Sequence, residues 1–318
     1  MTHLPPAMRT DCDGCRPRKQ VLASLECGLL RSIPLWNHTS LRIGGAARLF
    51  AQPRNTDALV STLQWANRNS QPSIILGAGT NVVFPDAGFD GLVIQTVRLH
   101  GHRIDGPRLW AAAGERLSDI AWTATRSGLS GLEWACGIPG TVGGSVVMNA
   151  GAHGAQVSDV LQSAEVLVGD AVETLPMTEL QLGYRTSAFC TSQLKGIVVG
   201  ASFVLQHHDS TACIGRARRM LAERLARIPI GASAGSIFRN PADGPTAGEL
   251  LDRAGCKGMR IGRALVSLPH ANIIVNEGTK NAEDVLSLID AMKQRVLDVF
   301  GVRLSEEVVR FTRRLDDR

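Results

Sequence analysis

The chain of 318 residues is 44% hydrophobic, 20% charged and 4% aromatic, and 34 basic against 29 acidic residues leave a net charge of +5. That length suits two or three domains with a sizeable core, and the composition is that of a soluble globular protein. One tyrosine, Tyr184, among few aromatics argues against the stacking surfaces of nucleic-acid binders, so the positive balance points to acidic small molecules.

Residues 1–20 contain three prolines and no apolar periodicity, and read as a mobile extension. No run there suits a signal peptide, and no segment reaches the ~20 apolar residues of a membrane span. Seven scattered cysteines, an odd number, indicate reduced thiols and a cytoplasmic setting. Cys12-Asp-Gly-Cys15 is a CxxC pair without a second half, so no metal is expected.

A short helix is expected over 21–30, followed by a polar-to-glycine stretch, 37–45, in which His38 reads as an exposed loop residue. Over 55–70, Leu59, Val60, Leu63 and Ala66 recur at helical spacing behind an Asn55 or Thr56 cap, with Trp65 to the side. A β-type run at 72–76 delivers Gly77-Ala78-Gly79-Thr80-Asn81. A strand feeding a glycine-rich turn is the arrangement by which backbone N–H groups reach a diphosphate. Strand-like runs at 92–95 and 109–113 precede a helix over 117–127 that Gly128 stops.

The chain is organised around 133–154, EWACGIPGTVGGSVVMNAGAHG, in which six of 22 residues are glycine. Such a backbone turns tightly or approaches a ligand closely. A hairpin follows, 164–168 and 171–175 about Gly169-Asp170, and the strand-rich middle ends near Val204. The segment 213–227 is a basic helix with Arg216, Arg218, Arg219, Arg224 and Arg227, a face for an acidic ligand or for solvent. Thr246 and Glu249 form a capping box for a helix reaching Ala254. Asn281 caps a long helix that turns Val285, Leu288, Ile289, Met292, Val296 and Phe300 inward and ends at Gly301.

In chain order, LGAGTN at 76–81, GIPGTVGG at 137–144, MNAGA at 148–152, YRTS at 184–187, AGSIFRNP at 234–241, GMRIG at 258–262, VSLPHAN at 266–272 and LSEEV at 304–308 resemble the motifs of the UDP-N-acetylenolpyruvoylglucosamine reductase family. The resemblance spans 37–308 and is to the shorter type, which lacks an extra Tyr-bearing substrate loop. This chain departs from the family pattern at Thr80 for Ser, Arg239 for Lys, Arg263 and Leu265 for Gly and a polar residue, and Val309 for a basic residue. It also has Ile230-Gly-Ala-Ser233 where a Pro is usual.

The resemblance implies an α+β, vanillyl-alcohol-oxidase-like (PCMH-type) FAD-binding fold: after the extension, FAD-binding subdomains at 21–96 and 97–208 and an α+β substrate-binding domain at 209–318. It implies non-covalent FAD held by Gly77, Ala78, Gly79, Thr80, Asn81, Gly137, Ile138, Pro139, Gly140, Thr141, Gly143, Gly144, Asn149 and Gly151. NADPH would be the hydride donor and a UDP-sugar the substrate, contacted by Tyr184, Arg239 and Asn240. The catalytic residues would be Arg185, Ser236 as proton donor to C2 after hydride arrives at C3 from flavin N5, and Glu307, with Glu306 one residue away. His270 reads as a buried structural histidine. The implied reaction makes UDP-N-acetylmuramate for peptidoglycan, in the cytoplasm, by a monomeric enzyme without nucleic-acid or membrane partners. A flavin oxidase of the same superfold and a catalytically silent nucleotide-binding homologue are the competing readings.

Overall fold

The computed structural model describes residues 28–314. The extension, the CxxC pair and most of the expected 21–30 helix lie outside the described residues, and Leu30 opens a strand instead of closing a helix.

The first body is a four-stranded sheet in the order β1-β2-β5-β3, from β1 (Leu30–Pro34), β2 (Ala46–Ala51), β3 (Ser73–Leu76) and β5 (Phe89–Gln95). β4 (Val82–Val83) lies apart from that sheet. β2 and β3 both run parallel to β5, so they need a crossover, which α1 (Thr56–Arg68) supplies. Asn55 caps α1 by accepting from Ala58 N at 2.8 Å. Leu59 and Ala66 bury against Leu49 and Leu92 on one sheet face, while Phe50, Ile74 and Phe89 fill the other.

The second body holds β6 (His102–Asp105), β7 (Arg108–Ala112), β11 (Leu161–Val168), β12 (Ala171–Pro176) and β13 (Ile197–Val204), an antiparallel sheet in the order β12-β11-β13-β7-β6. The β11–β12 hairpin turns at Gly169, φ +61°, where the sequence placed it. Packed on this sheet are α2 (Leu117–Arg126), α3 (Val142–Val147) and α4 (Ser210–Leu225), around Leu109, Leu117, Ile120, Val142, Val146 and Phe203. Two short pairs complete it: β8 (Leu129–Ser130) with β14 (Gln206–His207), and β9 (Gly151–Ala152) with β10 (Ala155–Gln156).

The third body packs α5 (Ala247–Arg253) and α6 (Ala282–Phe300) with β15 (Arg260–Ile261), β16 (Ala264–Val266) and β17 (Ile274–Asn276). Val285, Leu288, Ile289, Met292 and Val296 are fully buried, but Phe300, expected inward, sits 38% exposed on the last turn. Thr246 caps α5 by accepting from Glu249 N, whereas the Glu249 carboxylate pairs with Arg253 instead of completing a capping box. The chain then leaves this body: β18 (Val309–Arg310) pairs in parallel with β4 of the first body.

Candidate active site

The turn after β3 is dictated by steric closeness. Gly79 has φ +66°, and a Cβ there would lie 2.1 Å from the His38 carbonyl oxygen, so only glycine fits. A Cβ at Gly77 would lie 2.6 Å from Thr141 Oγ1, and one at Gly140, φ +129°, 3.3 Å from Thr80 Oγ1. The two glycine-rich segments therefore face each other across one cleft. Thr141 serves both sides, since its hydroxyl also caps α3 by accepting from Gly144 N.

Between them lies a cavity of about 480 Å³, a volume within the range of ligand sites. Gly77, Ala78, Gly79, Thr80, Asn81, Ile138, Pro139, Gly140, Thr141, Gly143, Gly144 and Gly151 line it, as do Arg185, Ser236 and Glu307. Gly137 and Asn149 are not on its wall. Gly137 packs against Leu221 and Arg224 of α4. Asn149, fully buried with φ +42°, spends its side chain on Gly183 O and Ser158 N, holding the turn that carries Arg185. His38 is not an exposed loop residue: its Nδ1 lies 2.9 Å from Gln95 Oε1 and its ring packs on Phe50. Gln95 in turn donates to Gly77 O, so this pair supports the turn from behind. Burial holds the His38 pKa below its ordinary value against the opposing Gln95 bond.

Three bodies contribute to the far end of the cavity. Arg185 sits in a tight turn with φ +54°; its Nη2 donates to Gly151 O at 2.7 Å and its Nε lies 2.8 Å from Glu307 Oε1. Burial pushes the Glu307 carboxyl up from its ordinary pKa, with Arg185 and Arg239 pulling the other way. Ser236 is held by the VSLPHAN segment. Ser236 bridges Ile273, Ile237 N donates to Asn272 O, and the Asn272 side chain both accepts from Phe238 N and donates to Phe238 O. His270 is half-buried and accepts from Asn272 N at 3.3 Å, the structural part expected of it; burial first and Lys257 second lower its pKa.

The adjacent glutamates are separated by geometry. Glu306 points away from the cavity into an ion network with Lys293 at 2.9 Å and Arg310 at 2.5 Å. Val309 lines the cavity where the family motif has a cation, and Arg310 is held by Glu306 and Asp290. Tyr184, 52% exposed, accepts from Asn240 N at 3.4 Å, and Arg239 has a buried Nε without a hydrogen-bond partner among the described residues. These three border the site without forming its wall.

Of the α4 arginines, Arg224 alone lines the cavity; Arg216 is committed to the buried Glu133 at 2.7 Å. Burial first, and neighbouring Arg185 second, lower the Arg224 pKa, and it has no acidic partner among the described residues. The sequence marks α4 as basic but not which arginine looks inward. No group of three or more His, Cys, Asp or Glu suited to a metal occurs among the described residues.

Facing glycine-rich segments that a Cβ would obstruct, next to an Arg–Glu pair, a serine and a free guanidinium, fit a diphosphate-linked flavin and an anionic partner. With two α+β bodies forming the cleft and a third closing it, this is an FAD-dependent oxidoreductase of the vanillyl-alcohol-oxidase-like fold. Residues 47–174 match the FAD binding domain, and residues 227–311 match the C-terminal domain of UDP-N-acetylenolpyruvoylglucosamine reductase. The reductase of Synechococcus sp. (strain JA-3-3Ab) is 42% identical over 92% of this chain and 95% of its own. That of Chloroflexus aurantiacus is 39% identical over 86% and 95%. The crystal structure of the Thermus caldophilus enzyme superposes with a TM-score of 0.75 at 32% identity, covering 89% of this chain and 98% of that one. The chain belongs to the UDP-N-acetylenolpyruvoylglucosamine reductase family.

Proposed function

We propose that this enzyme reduces UDP-N-acetylglucosamine enolpyruvate to UDP-N-acetylmuramate with NADPH as donor. The observation that carries the reading is the convergence of Arg185, Glu307 and Ser236 on one cavity wall beside the paired glycine turns. The turns at 77–81 and 138–144 would hold FAD, which once reduced by NADPH would supply a hydride from N5 to C3 of the enolpyruvyl group. Negative charge then develops toward the substrate carboxylate. Arg185 meets it with charge-assisted hydrogen bonds, already aimed by Gly151 O and Glu307. Glu307, whose carboxyl burial pushes up from its ordinary pKa, meets the same charge when protonated, or orients a polar partner toward it. Ser236 Oγ–H gives the proton to C2, whose carbanion character makes so weak an acid sufficient. Arg224 and Arg239, with Tyr184 and Asn240 nearby, face the diphosphate. The free thiols Cys136, Cys190, Cys213 and Cys256 suit a reducing, cytoplasmic setting.

The test is anaerobic NADPH oxidation by the flavin-loaded protein with and without the enolpyruvyl substrate. Turnover only in its presence, with flavin released by acid denaturation, supports the reading; a yellow protein indifferent to the substrate, or flavin retained on the polypeptide, defeats it. Ser236→Ala should slow substrate-driven reoxidation by about 10²–10⁴-fold, the usual contribution of a general acid, while reduction by NADPH proceeds unchanged.

A further inference from the structure

Glu306 and Glu307 are neighbours on an extended segment, where successive side chains point to opposite faces. A slip of one residue would put Glu306 into the cavity and Glu307 into the Lys293–Arg310 network, so the register of this segment decides which carboxyl meets Arg185. The segment is bonded along both edges. On one edge, Glu307 N donates to Ile237 O at 2.8 Å and Arg239 N to Ser305 O at 2.9 Å, tying it to the Ser236 loop. On the other, Val309 N donates to Asn81 O at 3.0 Å and Phe311 N to Val83 O at 2.8 Å. The β4–β18 ladder is only two residues long on each strand. Beyond it the first body turns away through Thr80 and Gly79, and the N–H that meets Glu307 O comes from a side chain: Asn81 Nδ2, at 3.0 Å.

We propose that Asn81 is a positioning residue that holds the Glu307 backbone, and with it the carboxyl that meets Arg185, in place at the cavity. Its carbonyl accepts from Val309 N and its side-chain amide donates to Glu307 O, so one residue of the turn grips the backbone on both sides of Val308. Because Asn81 also belongs to the glycine-rich turn, the acid is set directly from the cofactor side of the cleft. The inference rests on the proposed role of Glu307 in the reaction. An aspartate at 81 keeps the size but lacks the donor, and an alanine removes the group.

The experiment compares Asn81→Ala, Asn81→Asp, Glu307→Gln and the Asn81→Ala/Glu307→Gln double variant as flavin-loaded enzymes. Because Asn81 also lines the proposed FAD site, FAD affinity is measured for each variant by flavin fluorescence and all rates are compared at saturating FAD. Substrate-driven reoxidation should slow by about 10–100-fold, the scale of a displaced catalytic group. In the Glu307→Gln background the Asn81→Ala change should add little, since one effect passes through the other. Additive slowing, or a loss of FAD affinity with reoxidation intact, would overturn the proposal and leave Asn81 a cofactor contact only. Hydrogen exchange over 304–311 is read in parallel: faster exchange in Asn81→Ala is expected, and unchanged protection overturns the claim that Asn81 holds this segment. Glu307→Gln reoxidising at the parent rate would instead defeat the role of Glu307, and the exchange result would still judge whether Asn81 holds the segment.

Discussion

Glu307 shows how one residue ties stability to chemistry. Its folded pKa lies above the ordinary 4.5, because burial outweighs Arg185 and Arg239. The folded state therefore holds a proton that the unfolded chain has already released. Between 4.5 and the raised value, stability falls as pH rises; below 4.5 the penalty is absent. Glu307→Gln should remove that slope, so the difference in unfolding free energy between variant and parent should move in the variant's favour as pH climbs through the window. Urea titrations of the apoprotein across that range check it, and a difference independent of pH would contradict it. The motif spacing put Glu307 first with Glu306 one residue away, and spacing goes no further, since strand register depends on partners in distant segments. Asn149 was legible as part of MNAGA, but its buried bonds to Gly183 and Ser158 come from segments far along the chain.

At the scale of elements the sequence was far more informative, because capping and periodicity are local. The Asn55 and Asn281 caps, the Gly128 and Gly301 stops and the Gly169 hairpin all appear where their chemistry put them. What local pattern could not show is that Gly77 and Thr141 share space. A methyl group at 77 strikes the Thr141 hydroxyl first, at 2.6 Å, so Gly77→Ala should cost about 1–3 kcal/mol as an overpacked contact. Thr141→Ala should cost about 1 kcal/mol through the lost α3 cap. Together they should cost less than their sum, since the second removes the atom that the first strikes. Gly79→Ala cannot be relieved in this way, because its methyl meets the backbone of His38 at a positive φ. Chemical denaturation of the four proteins gives the coupling energy; strict additivity of the Gly77 and Thr141 changes would refute the shared contact.

The whole molecule is held by contacts that join the first body to the third across some two hundred positions of sequence. Asn276 Nδ2 donates to Leu41 O at 2.7 Å, Ser40 Oγ to Ser233 O at 2.6 Å, and Lys280 Nζ sits 3.9 Å over the Trp36 ring. Leu41, Ile43 and Val83 of the first body are buried in the core of the third. The sharpest of these joints is at the start of α6, where Asp86 accepts from Ala282 N at 2.7 Å and lies 3.3 Å from Glu283 N. A carboxylate there meets first-turn amides that lack an intrahelical carbonyl and the positive end of the helix, so one body caps the long helix of another. Asn281 also accepts from Glu283 N, so the helix keeps one cap when Asp86 is lost. Asp86→Ala should therefore lower stability by about 1 kcal/mol, and Asp86→Asn, which keeps an acceptor but not the charge, by less. Amide exchange should separate this joint from a loose surface contact. In Asp86→Ala, protection should fall in the first turn of α6 and in the β4–β18 pair together, because both hold the third body to the first. Loss confined to the first turn would make the cap a local matter and leave Glu307 to be held by Asn81 and the Ile237 edge alone.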